Sequence, residues 1–121
     1  MSGEADLAGK RILVLEDDYF LAIDAGSALR TAGAELVGPF PNEAAALLAI
    51  ERNNLDAALI DINLGAGPSY DAARALQKRG VPFVFLTGYD QEAIPEEFGR
   101  VQRFEKPADL RQVVRAVSDL A

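Results

Sequence analysis

The chain has 121 residues, with 19 acidic side chains against 12 basic ones, a net charge of -7, and half of its residues apolar. That length suits one domain with its own core. The acidic balance argues against nucleic acid and anionic membranes, which are held through Lys and Arg.

Cys and His are both absent. This removes disulfides, thiolate catalysis, Cys-zinc sites, the Ser-His triad, His metal ligation and any phosphohistidine on this chain. Chemistry is left to carboxylates, hydroxyls, Lys and Arg, working with an oxygen-loving cation. No apolar stretch approaches the roughly 18 to 20 residues of a membrane span. Met1 to Lys10 carries acids and no apolar core, so it is no secretory signal, and a cytoplasmic location is expected.

Met1 to Gly9 reads as a short polar lead that frays. Arg11 to Leu15 is an apolar strand ending at Glu16-Asp17-Asp18. Tyr19 to Thr31 reads as a helix with Leu21, Ala25, Ala28 and Leu29 toward the core, and Gly33 suits a left-handed cap just past its end. Ala34 to Val37 is a second strand, stopped by Gly38-Pro39 and Pro41. Asn42 caps a helix to about Asn53, with Ala44, Leu47 and Leu48, and at its end Glu51, marking successive turns.

Asp56 to Ile60 is the third strand, with Asp61 where the apolar run stops. Asn63 to Pro68 is a loop by composition, and a helix runs from Ser69 or Tyr70 to Arg79, ended by Gly80. Val81 to Leu86 is the fourth strand, followed by Thr87-Gly88-Tyr89. Asp90 to Arg100 is a weak helix, interrupted by Pro95 and Gly99. Val101 to Glu105 is a short fifth strand, and Ala108 to Leu120 is amphipathic on Leu110, Val113, Val114, Val117 and Leu120. Five strands alternating with five helices imply right-handed crossovers and a parallel sheet covered on both faces.

In open α/β sheets, ligands bind outside the carboxyl ends of the strands. Those ends carry Glu16 and Asp17, Asp61, Thr87, and Lys106 followed by Pro107. Each has a bland reading: acids capping a helix, a polar residue starting a loop, a turn hydroxyl, a solvated ammonium. Five such residues from four strands are harder to dismiss together.

On Leu13-Val14-Leu15-Glu16-Asp17-Asp18, Leu59-Ile60-Asp61-Ile62-Asn63-Leu64-Gly65, Thr87-Gly88 and Lys106-Pro107, in this order and at these separations, the chain resembles a response-regulator receiver domain from Arg11 to Leu120. The resemblance implies a lead over 1–10 and a receiver domain over 11–121, with a doubly wound five-stranded parallel sheet in the flavodoxin-like order 2-1-3-4-5 and five helices. It implies that Asp61 is the phosphoacceptor, taking a phosphoryl group from the histidine of a kinase or phosphotransfer protein. Asp17 and Asp61, with Glu16 directly or through water, supply hard oxygens to Mg²⁺, and the family pattern adds the backbone carbonyl of Asn63. Thr87 donates its hydroxyl to one phosphoryl oxygen and Lys106 pairs with another, while small Gly88 leaves room for the group. A cis bond before Pro107 belongs to the same pattern.

Two features depart from the common pattern. The position three before the Lys, usually aromatic, is Arg103, and Phe104 follows one later, which puts the usual aromatic-Thr switch in doubt. Phe85-Leu86-Thr87-Gly88-Tyr89 resembles a subgroup with a Phe-x-Thr-Gly-Tyr or Phe-x-Thr-Gly-Gly signature, in which Tyr89 lines the mouth of the site. Tyr89 is read as gating access and carrying part of the aromatic signalling, with a half-exposed packed ring as the alternative.

The expected role is a stand-alone phosphorylation switch, monomeric or weakly dimeric, binding a downstream protein around the fourth and fifth predicted helices. It is not an enzyme beyond phosphoryl self-transfer and slow autodephosphorylation. The rivals are a phosphate sink for a kinase and a small Asp-nucleophile phosphatase. The second wants a carboxylate two residues after Asp61, where Asn63 stands, and a cap or longer chain. A flavin module would be repelled by Glu16-Asp17-Asp18.

Overall fold

The computed structural model describes residues 6–62, 69–88 and 94–121. The elements are β1 (Arg11–Leu15), α1 (Tyr19–Thr31), β2 (Glu35–Phe40), α2 (Glu43–Arg52), β3 (Ala57–Asp61), α3 (Asp71–Lys78), β4 (Phe83–Thr87), a 3-10 turn (Glu96–Phe98), β5 (Arg103–Glu105) and α4 (Leu110–Leu120). The strands pair in parallel in the order β2-β1-β3-β4-β5, the order implied by the resemblance.

Strand alternation splits the core into two layers. Leu13, Leu15, Ala58, Ile60, Phe83 and Phe85 face α2 and α3. Ile12, Val14, Ala57, Leu59, Val84 and Leu86 face α1 and α4. Because both faces are covered, β3 and β4 are buried at every residue, which is why they read as unbroken apolar runs.

Side chains satisfy the helix starts. Asp18 Oδ1 accepts from Leu21 N at 3.0 Å, Asn42 Oδ1 from Ala45 N at 2.9 Å, and Asp109 Oδ1 from Arg111 N at 3.0 Å. At the start of α3, Tyr70 makes no capping bond. Glu43, from α2, accepts instead from Ala72 N at 2.9 Å and also from the Ser69 hydroxyl.

Four expectations change. β2 does not stop at Gly38-Pro39 but continues to Phe40, with a register shift against β1. It is an edge strand, so the missing N–H of Pro39 costs no ladder bond there. Gly38 takes φ +104°, where a Cβ would lie 2.9 Å from Val14 O. Second, α2 buries Ala46, Ala49 and Ile50, whereas of the expected Ala44, Leu47, Leu48 and Glu51 only Leu47 is half-buried and the others are exposed. Apolar residues surround this helix, so its phase was set by small residues packing against the sheet.

Third, five helices were expected and the described residues form four. In the described part of Asp90 to Arg100, residues 94–100, the helical element is the 3-10 turn Glu96–Phe98. Pro95 and Gly99 flank it and do not favour a longer helix. Fourth, the lead does not fray from Asp6 onward. Leu7 is fully buried, its N–H bonds Ala32 O at 2.8 Å, and Asp6 exchanges hydrogen bonds with Ser118 on α4.

Candidate functional site

The parallel sheet delivers the ends of β1, β3, β4 and β5 to one edge. Glu16 follows β1, and its N–H is tied to Phe40 O at 2.9 Å. Asp61 closes β3 and Thr87 closes β4. Lys106 follows β5, and its N–H bonds Thr87 O at 2.8 Å. Glu16, Asp61 and Thr87 are the buried polar or charged residues among the described positions. Three strands therefore each carry a group into the interior that hydrophobic burial alone would exclude.

The Lys106 ammonium holds the two buried carboxylates together. Its Nζ lies 3.0 Å from Asp61 Oδ2, 3.0 Å from Glu16 Oε1 and 3.1 Å from Glu16 Oε2. The bond to Glu16 is directed at Oε2, which also accepts from Asp18 N at 2.9 Å, so Oε1 has charge proximity without a well-aimed hydrogen bond. Asp17 is exposed at the rim. One oxygen from each of Glu16, Asp17 and Asp61 lies within 4.8 Å of the others, so three hard anionic ligands converge on one point.

Burial pushes the Glu16 carboxyl up to about 7, and the neighbouring Asp61 carboxylate adds to the rise. The Asp18 N–H and the Lys106 ammonium act against it without cancelling it. For Lys106, burial works to lower the pKa, but the hydrogen bonds to Asp61 and Glu16 prevail and raise it. The ammonium stays charged, while Glu16 takes up a proton at higher pH than an exposed carboxylate does.

Thr87 is buried, and its Oγ1 stands 3.5 Å from Phe104 O, at the limit of hydrogen bonding. Gly88 is half-buried and the Lys106–Pro107 bond is cis. Asn63 and Tyr89 lie outside the described residues, and with them the gating expected of Tyr89. Phe104 packs with the α1/α4 layer, whereas Arg103 pairs opposite Phe85 and is exposed.

Two features went unread in the sequence. Tyr19 and Phe20 are exposed at 70% and 75%, forming an edge-to-face pair at the start of α1, with Ile23 one turn on. Adjacent aromatics on a helix point about 100° apart, so their pairing was the available signal. Tyr70 stacks on Phe98 at 5.5 Å with an interplanar angle of 19°.

No family model matches the chain. Among solved structures it is similar to the BeF3-activated conformation of SdrG from Pseudomonas melonis Fr1. That match has 32% identity, full coverage of both chains and a TM-score of 0.76. The receiver domain of the sensor histidine kinase PA1611 from Pseudomonas aeruginosa PAO1 matches at 25% identity, over 93% of this chain and 98% of that one, with a TM-score of 0.78. That structure has a magnesium ion coordinated in its active site cleft. Transcriptional regulatory protein PdtaR of Mycobacterium tuberculosis is 28% identical over 94% of the chain, and the chain spans 58% of that protein's length. With likeness of this extent running end to end, and with acids, hydroxyl and ammonium brought to one sheet edge, the chain belongs to the response regulator receiver domains.

Proposed function

We propose that Asp61 accepts a phosphoryl group from the phosphohistidine of a histidine kinase or phosphotransfer protein. The observation that carries the reading is the Lys106 ammonium, 3.0 Å from both Asp61 and Glu16 in a buried acidic pocket. A carboxylate attacking an anionic phosphoryl group needs positive charge already in place, since such transfer depends on positioning and electrostatics. Asp61 Oδ forms the new O–P bond as the N–P bond to the donor imidazole breaks. Lys106 then turns from the carboxylate toward a phosphoryl oxygen, and Thr87 donates its hydroxyl to another.

The donor set fits Mg²⁺, with Glu16, Asp17 and Asp61 as carboxylate ligands and the Asn63 carbonyl completing the set by resemblance. When bound, Mg²⁺ screens the pocket's negative charge against the incoming phosphoryl group. Glu16 and Asp61 orient the Lys106 ammonium, and the apolar strand ends beneath it keep water from the far side of Asp61. Acetyl phosphate with Mg²⁺, followed by intact mass, tests the reading directly: one phosphoryl group is gained, and failure to gain it refutes the assignment. The result is a signalling switch with slow autodephosphorylation, whose output face lies around the 3-10 turn and α4.

The metal has a thermodynamic signature. Folding raises the Glu16 pKa from 4.5 to about 7. Between those values the folded protein holds a proton that the unfolded chain has lost. Stability from this group is present at low pH and falls as pH rises through the window, by up to roughly 3 kcal/mol. Melting in EDTA is expected to lose stability from pH 5 to 7.5, with the slope reduced in Glu16→Gln. Millimolar Mg²⁺ raises the melting temperature more at pH 7.5 than at pH 5, because protons compete with the metal. Superimposable curves with Mg²⁺ and EDTA would contradict the metal assignment.

The donor docks on the α1 start. Tyr19, Phe20 and Ile23 present exposed apolar surface immediately after the rim residue Asp17 and the capping residue Asp18. A phosphohistidine-bearing helix that reaches Asp61 must cover this rim. Phe20→Ser is expected to leave stability within about 0.5 kcal/mol. It should slow transfer from a kinase that phosphorylates the parent chain by roughly tenfold, with acetyl phosphate labelling unchanged. Equal loss with both donors would place the defect in the pocket.

A further inference from the structure

The N-cap residue of α3 and one stripe of the helix pack against the 3-10 turn. Tyr70, Arg74 and Gln77 lie at helical spacing along it. Tyr70 stacks on Phe98 at 5.5 Å. Arg74 Nη2 pairs with Glu97 Oε2 at 3.0 Å, and its guanidinium lies 5.7 Å from the Phe98 ring centre. Gln77 Nε2 reaches Glu97 O at 3.5 Å.

The 3-10 turn itself is only three residues long, closed by Phe98 N→Pro95 O and Gly99 N→Glu96 O. Much of what holds it against the body is therefore this stripe and the ring cluster beneath. In that cluster Phe85 touches both Tyr70, at 6.2 Å, and Phe98, at 5.7 Å. Phe85 lies two residues before Thr87 on β4, on the same face of the sheet. Ser69 N bonds Ile62 O at 3.0 Å, so the start of α3 is tied to the residue after Asp61. Both ends of this contact are thus one or two residues from the pocket.

We propose that the Tyr70–Phe98 stack and the Arg74–Glu97 pair form a latch between α3 and the 3-10 turn, and that occupancy of the Asp61 pocket by a phosphoryl group sets its closure. The inference rests on the phosphoacceptor reading and names its internal relay. The relay has a physical basis because contiguous packed rings transmit a shift at Thr87 to a short turn with few bonds of its own. Linkage makes the coupling reciprocal: if an occupied pocket alters the latch, breaking the latch alters the pocket's affinity by the same factor.

The probe is BeF3⁻ with Mg²⁺ on the whole chain, with acetyl phosphate labelling as a parallel arm. Hydrogen exchange at the Phe98, Gly99 and Val101 amides is expected to change roughly three- to tenfold on adding BeF3⁻, the range one aromatic contact allows. Tyr70→Leu should abolish that change and shift BeF3⁻ affinity by a similar factor. Arg74→Ala, at an exposed position that leaves the fold intact, should do the same in smaller measure. Labelling at Asp61 with unchanged exchange and unchanged affinities in both variants overturns the latch alone. Absence of labelling overturns the phosphoacceptor reading and the latch with it.

Discussion

Asp61→Asn is expected to abolish phosphoryl gain from acetyl phosphate and Mg²⁺, slowing it at least about a thousandfold, as removal of a nucleophile does. The amide keeps the shape of the side chain and its place at the end of β3. On the proposed reading it loses the anionic oxygen that forms the O–P bond and one hard metal ligand. Stability should not fall in parallel. Asp61 helps to raise the Glu16 pKa, so removing its charge relieves a repulsion while Lys106 keeps Glu16 as a partner. The variant is therefore expected to melt in EDTA at or above the temperature of the parent and to respond weakly to Mg²⁺. Loss of labelling through simple unfolding would instead lower the melting temperature. Persistent labelling would move the acceptor to Glu16 or Asp17, and peptide mapping would locate it.

Lys106→Met carries the largest expected cost in stability. The substitution keeps an apolar stem and removes the only cation that holds both buried carboxylates among the described residues. Breaking a buried pair from one side leaves uncompensated charge, worth about 3 kcal/mol here because the Lys side chain retains 24% exposure. In EDTA at pH 7.5 this corresponds to a fall of roughly 10 °C in melting temperature. The deficit should shrink at pH 5, where Glu16 is protonated, and in millimolar Mg²⁺. A deficit equal at both pH values and indifferent to Mg²⁺ would mean that Lys106 acts by packing alone.

Legibility differed between site and fold for physical reasons. Parallel strands buried on both faces leave unbroken apolar runs, so Arg11–Leu15 and the runs ending at Asp61 and Thr87 stood out, and with them the polar residues where each run stops. Element limits were harder. Gly38-Pro39 ends a central strand but is tolerated on an edge, and no local pattern in ELVGPF says that β2 lies at the edge. In α2, Ala and Leu surround the axis, and close approach to the sheet selected Ala46 and Ala49 over the larger Leu48. Leu7 is one apolar residue in a polar lead. Its burial depends on a groove beside Ala32 and on Gly33, at φ +103°, where a Cβ would meet the Ala8 backbone at 2.9 Å. The cap of α3 by Glu43 and the Tyr70–Phe98 stack join residues far apart in sequence, and such contacts leave no periodicity.

The irregular β2 has a consequence for association. Exposed sheet borders invite foreign strands, and here both borders are poor templates. On one side the Gly38–Pro39 kink removes a donor and breaks the hydrogen-bonding rhythm. On the other, β5 offers only three residues, two of them the charged and exposed Arg103 and Glu105. Pairing of foreign strands along either border is therefore disfavoured, and association through helices and turns is the expected mode, with the strand framework beneath the pocket left undisturbed.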